Sequence, residues 1–134
     1  MLAQYIALSL QKRLSPIASE HVFRSAGVDA WSGQNASDHT LDILSKQYQT
    51  DARDHRSYRL NNNLVVWAET IYTMTPERVL QIGQRFPAAS SKLKLLDDHI
   101  LFEDPISGSY TSYLQLANLI ETAVMKHLSH LEML

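Results

Sequence analysis

The residues best placed to do chemistry form the stretch Phe102-Glu103-Asp104-Pro105-Ile106-Ser107-Gly108-Ser109. It falls between a short apolar, strand-like run and the longest helical pattern in the chain. Pro105 fixes its own φ and Gly108 permits left-handed backbone, so the Asp104 carboxyl is held in a turn-forming loop. Loops that follow strands are where α/β folds carry their catalytic groups, and a carboxyl there can give or take a proton. Taken alone, the eight residues also fit an ordinary acidic turn. Other constellations are weaker. Asp97-Asp98-His99 could be imagined as a metal cluster, but neighbours on an extended segment point to opposite faces, so a solvated turn is expected. His127 and His130 lie three apart without a visible third ligand, and are expected as a polar face favourable to a helix C-terminus. The serines show no order that supports a Ser/His/Asp arrangement. There is no cysteine, which excludes disulfides, thiolate metal sites and a cysteine nucleophile within these residues. No metal and no cofactor are expected.

The elements that must position these residues belong to one domain spanning 1–134, long enough to bury a core. Hydrophobic residues make up 45% and charged residues 19%, as in water-soluble globular proteins. A net charge of −2 gives no reason to expect nucleic acid or an anionic membrane as partner. The apolar start is too short to span a bilayer and lacks the basic region and cleavage site of a signal peptide, so a cytoplasmic protein is expected.

Leu2, Ile6, Leu10 and Leu14 recur every four residues, with Lys12 and Arg13 near the end, and predict a first amphipathic helix. His21 to Ser25 reads as a short strand ended by Ala26-Gly27. A loop through Trp31 and Gly33 leads to a helix with Leu41, Ile43, Leu44 and Tyr48, capped by Ser37 or Asp38. A polar connection from Thr50 to Arg59 precedes a short helix over about 62–68. Thr70 to Met74 is the best strand, β-branched and aromatic. Thr75-Pro76-Glu77 then starts a helix ending at Pro87, with a third strand from Lys92 to Leu96. From Tyr110 onward helical spacing persists for about 20 residues, or about 30 Å. Strands alternating with helices imply a parallel sheet covered on both faces, a three-layer α/β/α fold.

Several stretches together resemble the low-molecular-weight protein tyrosine phosphatase family, including its bacterial arginine-phosphatase relatives. They are Arg24-Ser25-Ala26-Gly27-Val28 followed by Trp31, then Asp54-His55-Arg56-Ser57, Thr70 to Thr75, and Asp104-Pro105-Ile106-Ser107-Gly108-Ser109. The resemblance implies phosphomonoester hydrolysis through a cysteinyl-phosphate, using a Cys-x5-Arg loop that binds phosphate between the first strand and first helix. It implies Asp104 as the general acid, Trp31 and Ile106 beside the substrate cleft, and Ser25 and His55 in a hydrogen-bond network supporting the phosphate loop. Two departures bear on substrate: Thr75 stands where many eukaryotic members carry an aspartate, and Ile106-Ser107 replaces their tyrosine pair.

In this resemblance Met1 falls at the start of the first helix, so the chain is expected to be truncated at its N-terminus relative to the family. The first strand, a central one in the order 2-1-3-4, would be missing together with the nucleophile loop. The polypeptide is then expected to be inactive as it stands. A phosphorylated protein or small phosphoester would be the ligand of an intact protein. Exposed inner sheet edges would favour a homo-oligomer, most simply a dimer. The alternative expectation is a non-catalytic phosphatase-like binding or oligomerisation module.

Overall fold

The computed structural model describes residues 1–14, 21–28, 32–100, 102 and 108–132. Five helices and two strands follow in the order α1 (Leu2–Leu14), α2 (Asp38–Tyr48), α3 (Asn62–Trp67), β1 (Ile71–Thr73), α4 (Pro76–Arg85), β2 (Leu93–Leu95) and α5 (Tyr110–Glu132), with a 3₁₀ turn at Pro87–Ala89. The helix starts are written locally. Ser37 Oγ accepts from the Thr40 amide at 3.3 Å, Asn61 Oδ1 from Leu64 at 2.9 Å, and Thr75 Oγ1 from Arg78 at 3.3 Å. Pro76 occupies the first turn of α4, where its missing N–H has no intrahelical role.

β1 and β2 pair in parallel, with Ile71 opposite Leu93 and Thr73 opposite Leu95. This two-stranded sheet lies between two apolar clusters. On one side α1, α2 and α5 bury Ile6, Leu10, Ile43, Leu44, Ala117 and Ile120, and the most extensive helix contact is α1 against α5. On the other, Val65 of α3, Ile82 of α4 and Ala89 pack with Ile71 and Leu93. Tyr72, on the opposite face of β1 from Ile71, meets the ring of His127 on α5. The α/β architecture with a parallel sheet therefore stands as read from the sequence.

One predicted strand differs. Residues 21–26 are assigned no strand, and only Gly27 makes a parallel bridge, to Arg59. The β-branched and aromatic residues Val22 and Phe23 supply strand propensity, but a strand exists only where a neighbour completes the ladder. None does so here among the described residues.

The turn at 97–99 is also not simply solvated. Asp97 is buried and accepts the His99 amide at 2.8 Å and Lys126 Nζ at 2.9 Å. Those two donors, Lys126 first, hold its carboxyl below the usual carboxylate range. His127 is likewise no free polar face: its Nε2–H donates to the Leu96 carbonyl at 2.6 Å, tying α5 to the end of β2. The His130 side chain lies outside the described residues.

Candidate functional site

Ser25 and His55, thirty residues apart, are brought to the first turn and a half of α1. Ser25 Oγ donates to Gln4 Oε1 at 2.6 Å. His55 Nδ1 lies 3.1 Å from the Tyr5 hydroxyl, with the two rings edge to face. Burial, and then the charge of Asp54, pushes the Tyr5 phenol upward, so it keeps its proton. Burial, and then the positive α-amino group and Arg56, pushes the His55 imidazole downward. The direction of the Tyr5–His55 hydrogen bond follows the tautomer of the ring, and the ring nitrogen that does not face Tyr5 is left for a second polar partner.

Three loop segments hold these groups. Gly27 donates to the Tyr58 carbonyl and accepts from the Leu60 amide, both at 2.9 Å, which fixes the segment that carries Ser25 against the one that follows His55. Gly33 donates to the Ser57 carbonyl at 2.8 Å, and the Ser57 amide donates to the Gln34 carbonyl at 2.9 Å. Gly33 adopts φ of 84°, a left-handed conformation that glycine accepts without strain. No acidic residue stands in the first turn of α1, so no side-chain carboxylate there opposes an anion. A helix start lined by a serine hydroxyl and an imidazole is suited to supporting a bound oxyanion or the loop that binds one.

Asp104, Trp31 and Ile106 lie outside the described residues. Their described neighbours are fixed: Phe102 is buried in the α1/α2/α5 core, and Ser109 caps α5 by accepting the Ser112 amide at 3.3 Å. Gln4 and Tyr5 are the site residues that sequence reasoning missed. The signal for Tyr5 was a phenol on an otherwise aliphatic buried stripe, which needs a hydrogen-bond partner. Away from these residues an open cleft of about 510 Å³ lies between the end of β2 and α5 and is lined by Lys94, Asp97, His99 and His127 among others. Among the described residues no group of three or more histidines and carboxylates could hold a metal ion. No helix among them is long and apolar enough to cross a membrane.

No protein-family model matches the sequence, and no curated protein does. Solved structures do match. The YwlE arginine phosphatase from Geobacillus stearothermophilus is 26% identical, with a TM-score of 0.86 over 98% of this chain and 84% of that one. A low-molecular-weight protein tyrosine phosphatase from T. tengcongensis is 22% identical, with a TM-score of 0.87 over 96% of this chain and 88% of that one. Wzb from Vibrio vulnificus, solved with benzylphosphonate, is 19% identical, with a TM-score of 0.84 over 96% of this chain and 88% of that one. The chain thus has the α/β fold of the bacterial low-molecular-weight protein tyrosine phosphatases. The resemblance carried by the Ser25, His55 and Asp104 motifs and the structural matches point to the same family.

Proposed function

We propose that the chain is a phosphatase-type domain for phosphomonoesters, with Asp104 as general acid and Ser25 and His55 supporting the phosphate-binding loop. Trp31 and Ile106 would line the substrate cleft. In the reaction that the resemblance implies, a thiolate forms a sulfur–phosphorus bond while the bond from phosphorus to the leaving oxygen breaks. Asp104 delivers its proton to that oxygen. The 134 residues hold no cysteine, so this polypeptide by itself has no nucleophile for the step. The observation that carries the reading is the convergence of Ser25 and His55 on the start of α1, in a fold shared with bacterial phosphatases. Likeness to an arginine phosphatase supports phosphoarginine, a phosphoramidate, as a substrate to test beside aryl phosphates; there the bond from phosphorus to the guanidine nitrogen would break and Asp104 would deliver its proton to that nitrogen.

The test is turnover of 4-nitrophenyl phosphate and of phosphoarginine by two polypeptides. The 134-residue chain is expected to show none above the uncatalysed rate. The same chain with a strand and Cys-x5-Arg loop grafted ahead of Met1 is expected to turn over at least one of them. Failure of a folded graft on both substrates would contradict the proposal.

One observation favours the second reading, a non-catalytic oligomerising module. The register of β1 on β2 directs the backbone of Ile71 and Thr73 toward β2. Tyr72 therefore turns its N–H and C=O to the other edge, where they have no partner among the described residues. An open edge without proline or lysine is a surface onto which another strand can add. Both readings accommodate a homodimer.

A further inference from the structure

The segment 21–26 turns alternate residues to opposite sides. Phe23 packs against the α1/α2/α5 core and Ser25 bonds to Gln4, whereas Val22, Arg24 and Ala26 are exposed. The exposed side is the one that meets α3, because the Arg24 guanidinium lies 4.6 Å over the ring of Trp67, the last residue of that helix. The bridge from Gly27 to Arg59 sets Tyr58 beside Ala26 on the same side, where Val28 and Leu60 pack with Val65 of α3. α3 has six residues and ends at Trp67, so this face is left uncovered. Val22 is 67% exposed, Tyr58 62% and Trp67 44%. Tryptophan, tyrosine and arginine gathered on one patch are the side chains that carry most of the energy of protein–protein contacts.

The charges on this face say what it fits. Among the described residues Arg24 has no carboxylate partner and Glu69 has no cation. Glu69 is exposed and follows Trp67 by two residues, within about 7 Å along the chain. A face that carries an unpaired cation and an unpaired anion beside one aromatic ring is complementary to itself across a two-fold axis. We infer that a second copy of the chain docks on this face about such an axis, Arg24 of each protomer meeting the partner's Glu69, with Trp67 between them. The inference deepens the oligomerising reading and rests on its second copy. The face adjoins β1, since Ile71 follows Glu69 by two residues. A net charge of only −2 sets little long-range repulsion against self-association.

The test is sedimentation equilibrium of charge-reversal variants, alone and mixed. The intact chain is expected to dimerise at micromolar concentration. Arg24→Glu and Glu69→Arg each set like charges across the axis twice, and each is expected to weaken the dimer roughly tenfold or more. An equimolar mixture of the two variants regains both opposite-charge pairs in a heterodimer, and is expected to associate about as tightly as the intact chain. Trp67→Ala is expected to weaken the dimer roughly tenfold or more. Leu119→Ala, which trims an exposed leucine on α5 in the other helical layer, should leave it unchanged. Residues 24 and 69 are exposed, and melting curves verify that each variant is folded. A dimer that survives Arg24→Glu, or two charge variants that stay monomeric when mixed, would overturn the proposal while the oligomerising reading stood on the β1 edge. An intact chain that stays monomeric would overturn both.

Discussion

His55 shows how much one side chain depends on its surroundings. Its imidazole is held downward from the ordinary 6.5, chiefly by burial, and its Nδ1 lies 3.1 Å from the Tyr5 hydroxyl. The unfolded chain therefore binds a proton at this position that the folded chain resists. Stability from His55 is full above about pH 6.5 and falls as pH drops through the lower folded value. Urea denaturation at pH 8.0, 6.5 and 5.0 should show this loss, and His55→Asn should flatten the part of the curve that His55 causes. An unchanged profile would mean that burial does not lower the His55 titration in the folded chain. Ser25 and His55 could be singled out in the sequence because they sit in short motifs. Their partners could not, since Gln4 and Tyr5 become neighbours of Ser25 and His55 only through long-range folding.

Among elements, the helices were legible and one strand was not, for a physical reason. A helix satisfies its hydrogen bonds within its own sequence, so Ser37, Asn61 and Thr75 announce helix starts that the structure contains. Thr75→Ala should cost about 1 kcal/mol in chemical denaturation. Ile120→Ala, which removes a fully buried side chain from the core beneath α1 and α2, should cost about 2–5 kcal/mol. A ranking reversed between these two would argue against the α1/α5 core as the main source of stability. A strand depends on its neighbours, so Val22 and Phe23 carry the pattern of one without the ladder. The turn at Asp97 was misread for a related reason. Its partner Lys126 is distant in sequence, and α5 brings the ammonium to a carboxylate that would otherwise face water.

At the scale of the molecule, two helical layers enclose a sheet of two parallel strands, and one edge of β1 has no partner among the described residues. We expect a second copy of the chain to cover that edge in solution. Sedimentation equilibrium at micromolar concentration should then return a dimer, whereas a monomer that unfolds cooperatively would contradict it. The fold class was readable from the order of strands and helices, but the pairing of strands was not, because register is a property of the assembled sheet. The proposed function assigns Asp104 the part of the acid, beside the start of α1 where Ser25 and His55 converge. Phenyl phosphate hydrolysis by the loop-grafted chain, with Asp104 intact or replaced by Asn, decides it. Phenolate is a poor leaving group, so Asp104→Asn should lower kcat by about 10²- to 10⁴-fold. Equal rates for the two proteins would contradict a role for Asp104 as the acid.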